Sequence, residues 1–317
     1  MNELTLSVLM VAYNAAGYLD RTLRALTGPA APEVAFEVLV SDNASTDGAA
    51  DVAEHFLGAN AVRRLGSNTG FAYGINRAAE RASGRYLLLL NPDAEPLPGA
   101  IDALLEHLRA HEDHGIVGGR TLTPAGALEP RSCFGRITPW SLTCSALGLS
   151  ALARGSRLFD PESLGRWARD SERHVDVVSG GFLLLAKETW DLLGGFDEAF
   201  RIYGEDQDLC LRAAAAGFRP SITPQAVVVH AVGASSGHRV DRDVLVLAGR
   251  AGVVQRHLGR WRGYGLLALS VGVAARAVVE RTLGRGARWS AVWHRRSEWV
   301  RGWPGTRLSA TSEPVAG

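Results

Sequence analysis

The run Tyr86-Leu87-Leu88-Leu89-Leu90 constrains this chain more than any other segment. Five consecutive apolar residues, introduced by Ser83-Gly84-Arg85 and closed by Asn91-Pro92-Asp93, read as a fully buried strand. Strands of that kind belong to α/β sheets covered by other elements. Open α/β sheets bind ligands beyond the carboxyl ends of their strands. Here that end carries a carboxylate, Asp93, on a turn whose direction proline fixes. A short carboxylate held beside a nucleotide suits Mg²⁺ or Mn²⁺, which prefer oxygen ligands and commonly bridge phosphates. The competing interpretation is an Asn-Pro turn with a solvated aspartate.

The rest of the chain alternates strand and helix patterns. Strands are expected at 6–12, 36–41, 61–65, 86–90 and 115–119, and helices at 19–26, 76–82 and 98–111. That βαβα order predicts a mainly parallel sheet flanked by helices. From Thr123 to Arg173 the periodicity weakens into a loop-rich insertion. Strands follow at 175–178 and 182–186, then a helix at 206–216 and a last strand at 226–229 that ends on His230. The expected division is a first domain over 1–240 and a basic helical region over 241–317.

Charge supports that division. From residue 241 onward there are thirteen arginines and five acids, a net +8, which leaves the first 240 residues at −7 and the whole at +1. An acidic body with a basic tail points to an anionic partner for the tail. The tail sets Trp261, Trp289, Trp293, Trp299 and Trp303 among the arginines, a pattern suited to an anionic membrane surface. The alternative is a helical hairpin packed on the first domain. The acidic body offers no basic stripe with interleaved aromatics, which disfavours nucleic acid. The longest uncharged run, Tyr264–Ala275, stops at Arg276, short of the roughly 18–20 residues of a spanning helix. No basic segment precedes a long apolar run at the N-terminus, so Leu4–Ala12 reads as strand and not as a leader. Three cysteines, Cys133, Cys144 and Cys210, with no CxxC spacing argue against a disulfide framework or zinc cluster and fit a cytoplasmic setting.

Four more groups carry chemistry. In Ser41-Asp42-Asn43-Ala44-Ser45-Thr46-Asp47-Gly48, Asp42 ends a strand at the ligand edge, where it can accept hydrogen bonds from a base or ribose; Ser45 or Asp47 serves as a helix cap. Ser67-Asn68-Thr69-Gly70 runs into a helix and offers backbone N–H groups to a nucleotide. It lacks both GxGxxG and GxxxxGK, which disfavours NAD binding and ATP hydrolysis. Gly204-Glu205-Asp206-Gln207-Asp208 opens a helix. Asp208 reads as an ordinary acid at a helix start. Asp206, beside Gly204, is the better general base, because the glycine leaves room for a substrate hydroxyl. His230, at the mouth of an apolar strand, becomes a candidate metal ligand once Asp93 is one.

Taken in order, these motifs resemble the family 2 glycosyltransferases of GT-A fold. The resemblance rests on VLMVAYN (8–14), SDNASTDG (41–48), NTGFAYGIN (68–76), LNPD (90–93), the 179–182 loop, GGFDE (194–198), GEDQDLCLR (204–212) and the strand ending at His230, and it covers about residues 4–232. Within the family the chain looks most like the rhamnosyltransferase branch. The resemblance implies that Ala12, Tyr13, Asp42, Asn68, Gly70, Asn91, Gly180, Gly181 and Glu205 surround the nucleotide sugar. It also implies that Asp93 and His230 hold Mg²⁺ or Mn²⁺ and that Asp206 is the catalytic base. Asn91 stands where many relatives carry aspartate. Gln255–Trp261 reads QRHLGRW, not the QxxRW of processive synthases, which argues for single-sugar transfer. The implied activity is inverting transfer from a nucleotide-diphosphate sugar, such as dTDP-L-rhamnose, to a lipid-linked or glycan acceptor at the inner face of the cytoplasmic membrane. The rivals are a nucleotidyltransferase, whose basic Gly-rich loop is absent from Val11–Gly17, and an inactive binding subunit, which would be expected to lose Asp93 or Asp206.

Overall fold

The computed structural model describes residues 4–230, 239–284 and 286–305, apart from the side chain of Glu112. The described residues form two compact units. One comprises residues up to 135 together with 167–197 and 209 onward to the end of the sheet; the other comprises 136–166, 198–208 and the C-terminal region.

The first unit is built on a mixed sheet. In chain order it contains β1 (Leu6–Ala12), α1 (Ala16–Leu26), β2 (Phe36–Asp42), α2 (Ala49–Leu57), β3 (Val62–Arg64), α3 (Phe71–Ala79), β4 (Tyr86–Leu90), β5 (Ala94–Pro96), α4 (Ala100–Ala110), β6 (Ile116–Leu122), β7 (Phe182–Ala186), α5 (Lys187–Leu193), most of α6 (Glu205–Ala215) and β8 (Ser221–His230). The strand order is β3-β2-β1-β4-β7-β6-β8-β5. β1 is parallel to β2 and β4, β2 to β3, and β6 to β8, as the alternating pattern predicts. β7 enters antiparallel between β4 and β6, and β5 is antiparallel to β8. These two strands make the sheet mixed.

β4 is buried at every residue. Its neighbour β1 is equally buried, and Leu88 and Leu90 join Leu6, Val8 and Met10 in one core cluster. Leu19, Leu23 and Leu26 of α1 pack into the same cluster, on the face their spacing predicts. Gly84 explains how β4 starts. A Cβ there would stand 2.5 Å from the backbone of Leu6 and Ser7, so only glycine allows this approach to β1. α3 begins earlier than its sequence pattern suggests, because Gly70 (φ 98°) takes the cap position. α2 is likewise capped by Gly48 in the left-handed conformation, while Asp47 accepts from the Ala49 N–H at 3.1 Å.

The second unit is helical. It holds a helix over Pro139–Ala146 and the C-terminal α7 (Arg239–His257), α8 (Arg262–Thr282) and α9 (Arg288–His294). α8 does not stop at Arg276. It continues, with the half-buried Arg276 guanidinium donating to the Ser145 carbonyl at 2.8 Å. With the preceding turn, 259–282 is long and apolar enough by length and composition to cross a membrane, contrary to the expectation from sequence, although a third of its apolar window is buried in the protein. Several of the arginines pair within this unit: Arg250 with Glu162, Arg288 with Asp243, and Arg295 with Asp241 and Glu298. Most of the tail's tryptophans pack as well. Trp299 is fully buried and Trp303 donates to the Ile202 carbonyl at 3.1 Å, while Trp261 is exposed.

Candidate active site

Two loops at the carboxyl ends of β1 and β2 are stapled together. Asn14 adopts a left-handed conformation (φ 49°). Its N–H donates to Ser45 Oγ at 3.0 Å, and its Oδ1 accepts from the Thr46 N–H at 2.8 Å. Asp47 Oδ2 accepts from the Ala16 N–H at 2.8 Å. This frame holds Ala12 buried, leaves the Tyr13 ring 41% exposed, and fixes Asp42 across the register from Ala12. Asp42 is buried. Its Oδ2 accepts from the Ser45 N–H at 3.1 Å, and its Oδ1 has no partner among the described residues. A buried oxygen without a partner costs about 1–3 kcal/mol, and a ligand's hydrogen-bond donor offsets that.

Asn43 was not among the residues singled out from sequence, yet it organises the next loop. Its Nδ2 donates to the Gly70 carbonyl at 3.0 Å, and its Oδ1 accepts from the Thr69 N–H and hydroxyl at 3.2 and 3.0 Å. The Gly70 N–H in turn donates to Asn68 Oδ1 at 3.2 Å. Asp42 and the Asn68–Gly70 loop are thereby linked through one side chain. Its signal in the sequence was only its place beside Asp42.

The Asn91-Pro92-Asp93 turn joins β4 to β5. The Asn91 N–H donates to the Gly181 carbonyl at 3.0 Å, and the Pro92 carbonyl accepts from Thr22 Oγ1 at 2.8 Å. A Cβ on Gly181 would stand 3.0 Å from Asn91 Nδ2, so the small residue keeps this corner open; Gly180 beside it is buried. β5 pairs with β8 so that Ala94 lies opposite His230. That register brings together two residues 137 positions apart: His230 Nε2 lies 3.0 Å from Asp93 Oδ1. Asp93 is buried and His230 is 23% exposed. Two cis ligands on an octahedral ion at about 2.1 Å stand ~3.0 Å apart, and a carboxylate with an imidazole is a donor set Mn²⁺ accepts, so these residues fit the expected divalent ion. Glu129, also missed from sequence, is electrostatically coupled to this corner. Arg131, at 2.8 Å, and more weakly His230 hold its carboxyl below the usual range.

The start of α6 belongs to the second unit. Tyr203 and Gly204 take left-handed conformations (φ 63° and 99°), and Gly249 lies so close that a Cβ there would be 2.1 Å from the Tyr203 carbonyl oxygen. The three acids that follow have three environments. Glu205 is buried, one of its oxygens has no partner among the described residues, and burial, then the Asp206 charge, push its carboxyl well above the usual range. Asp206 is half-buried, with Oδ1 accepting from the Gln207 N–H at 2.8 Å. Asp208 is fully buried, accepts from His257 Nε2 at 2.8 Å and lies 3.7 Å from Arg256 Nη1. The helix dipole therefore accounts for only part of Asp208; an internal ion pair accounts for the rest.

The chain is similar to known proteins in sequence and fold. Residues 7–134 match the model of glycosyl transferase family 2, and residues 169–232 match the N-terminal domain of galactosyltransferase. The N-acetylglucosaminyl-diphospho-decaprenol L-rhamnosyltransferase of Mycobacterium tuberculosis is 30% identical over 285 residues, covering 81% of this chain and 86% of that protein. The rhamnosyltransferase WbbL of Escherichia coli K12 is 23% identical over 231 residues, covering 70% of this chain and 82% of its own. Among solved structures, a mannosyltransferase from Pyrobaculum calidifontis, in complex with GDP-Man and Mn²⁺, superposes with a TM-score of 0.53 at 19% identity, covering 93% of this chain and 85% of its own.

Proposed function

This chain belongs to the family 2 glycosyltransferases, with their GT-A fold, and from that premise we propose that it transfers one L-rhamnosyl residue from dTDP-L-rhamnose to a hydroxyl of a saccharide carried on a lipid diphosphate, with inversion. The mycobacterial relative supports this choice of sugar and carrier. The donor-side chemistry rests on one observation, the Asp93–His230 pair at 3.0 Å.

In this reading Asp42 accepts a donor hydrogen of the base or ribose, and the exposed Tyr13 ring beside Ala12 covers the base. Asn68, Gly70, Asn91, Gly180 and Gly181 border the sugar and diphosphate. Asp93 and His230 hold Mg²⁺ or Mn²⁺, which when bound neutralises charge on the departing diphosphate. Asp206 takes the proton from the acceptor hydroxyl as that oxygen attacks the anomeric carbon. The bond to the diphosphate breaks on the opposite face, so the configuration inverts and the nucleoside diphosphate leaves with the bonding pair. Glu205, whose carboxyl is pushed well above the usual range by burial and by the neighbouring Asp206 charge, borders the sugar.

The acceptor's lipid suggests where the protein works. Tyr264, Leu267, Val271 and Val278 are 40, 61, 48 and 59% exposed, and their spacing sets them on one face of α8. We place that face against the acyl boundary on the inner side of the cytoplasmic membrane, with the protein peripheral.

The test is a transfer assay with UDP-, GDP- and dTDP-sugars, with and without Mn²⁺ or Mg²⁺, on a polyprenyl-diphosphate N-acetylglucosamine acceptor. Metal-dependent incorporation from dTDP-L-rhamnose alone is expected. Transfer of another sugar in its place refutes the donor, and nucleotide-sugar binding without any transfer restores the inactive-subunit reading. Flotation with anionic liposomes tests the membrane face: the parent floats and Leu267→Glu/Val271→Glu does not. A parent that stays with the soluble fraction refutes membrane attachment.

A further inference from the structure

Histidines gather at the end of β8 opposite the one that carries His230. β8 spans ten residues from Ser221 to His230, so its two ends stand ~30 Å apart. Near Ser221 lie His107 in the last turn of α4, His111 directly after it, and His114 in the short 3₁₀ turn that follows. One ligand nitrogen from each of the three lies within 4.8 Å of the other two. His107 Nε2 is 3.1 Å from His114 Nδ1, and Ser221 Oγ is 3.2 and 2.9 Å from those same two atoms. His174 stands edge-on to His114, with ring centroids 4.6 Å apart.

The ring tautomers are set from behind. His107 Nδ1 faces Glu172 Oε1 at 3.3 Å, and His111 Nδ1 faces the His107 carbonyl at 3.0 Å. A carboxylate and a carbonyl only accept, so both Nδ1 atoms carry the proton and both Nε2 atoms are left with a lone pair. Oxygen acceptors behind the ring are how metal-ligating histidines are oriented. The neutral ring is the form that binds metal. The 3.1 Å nitrogen separation approaches the ~3.3 Å edge of a tetrahedron with bonds of about 2.0–2.1 Å. An imidazole set with a carboxylate behind it selects zinc, copper or nickel over magnesium or calcium.

We propose that His107, His111 and His114 bind one divalent transition-metal ion of the zinc class, with Glu172 as the positioning carboxylate behind His107. His111 is the most solvent-accessible of the three. The three ligands run from the last turn of α4 into its connection to β6, so the ion would clamp that turn, remote from Asp93 and His230. The competing arrangement is a neutral hydrogen-bonded triad of His107, His114 and Ser221, which needs no ion.

The experiment uses untagged full-length protein, stripped with EDTA and titrated with Co²⁺ alone near neutral pH. The parent is expected to take up one equivalent with the visible absorption of a tetrahedral nitrogen site, and Zn²⁺ displaces it. Asp93→Ala keeps that spectrum, which separates this site from the donor-side ion. His111→Ala loses it while retaining the parent's circular dichroism, and Glu172→Gln weakens uptake by about 10–100-fold. If His111→Ala does not fold, Zn²⁺ protection of the parent's histidines 107–114 from acylation decides the question. A folded parent that takes up neither ion overturns the proposal. So does a spectrum that survives His111→Ala, or histidines equally reactive with and without Zn²⁺.

Discussion

Asp206 and Asp208 sit two residues apart on one helix, and the structure separates their fates. Asp208 is fully buried, accepts from His257 Nε2 at 2.8 Å and lies 3.7 Å from the Arg256 guanidinium. Asp208→Ala leaves an imidazole and a guanidinium facing an uncompensated hole, a change that costs about 3–5 kcal/mol. Asp208→Asn keeps an acceptor for His257 and loses the charge, for about 1.5–3 kcal/mol. Six of the eight tryptophans (Trp140, Trp261, Trp289, Trp293, Trp299 and Trp303) lie in the same compact unit, so tryptophan emission in urea reports the relevant transition. With a urea slope of order 2 kcal/mol/M, Asp208→Ala lowers the midpoint by roughly 1.5–2.5 M. Combined with His257→Gln, the two losses add to less than their sum, because the residues share one interaction. Turnover per folded molecule stays near the parent's. The reasoning fails if Asp208→Ala unfolds at the parent midpoint, or if Asp208→Asn is stable but inactive.

Other outcomes follow from the same geometry. Asp206→Asn should retain nucleotide-sugar affinity and lose about 10²–10⁴-fold in kcat, as expected for a general base; unchanged turnover moves the base elsewhere. Asp93→Ala should abolish metal-dependent donor binding in calorimetry and His230→Ala should weaken it less; full activity of Asp93→Ala in EDTA contradicts the assignment. Glu205 makes stability depend on pH. Its folded carboxyl titrates well above the ordinary 4.5, so the native state binds the extra proton between those values. That contribution is complete below 4.5 and is lost as pH rises through the folded value. Urea midpoints of Glu205→Gln should therefore rise relative to the parent between pH 5 and pH 9, and parallel profiles speak against a buried, proton-binding Glu205.

The sequence was most readable where local pattern and tertiary demand coincide. β4 announces itself as an unbroken apolar run and β1 as one interrupted only by Ser7, and Asn91-Pro92-Asp93 and His230 mark their strand ends. β5 and β7 show the limit. β5 is three residues long, and its only reason to be a strand is β8, more than a hundred residues away. β7 is apolar, but nothing local says that it runs antiparallel between β4 and β6. Arg276 ends the longest uncharged run, and nothing local shows that its guanidinium meets the Ser145 carbonyl in a distant segment. The tail tryptophans suggested a membrane belt, yet Trp299 packs inside the protein and the Arg276 and Arg288 guanidinium groups both lie against the Trp289 ring. His107, His111 and His114 drew no attention in the sequence, because their meeting with Ser221 and Glu172 depends on distant segments.

The place of β7 bears on how this protein is made. The strand that fills the gap between β4 and β6 leaves the ribosome last of the three, with 91 residues between Leu90 and Phe182. At about 5–20 residues per second, β4 waits roughly 5–20 s with one apolar edge unpaired. During that interval Leu87–Leu90 can pair with any other extended segment, including the same segment of a neighbouring nascent chain. Yield in a heterologous host is thus governed by how well that edge is shielded during synthesis, whatever the finished enzyme's stability.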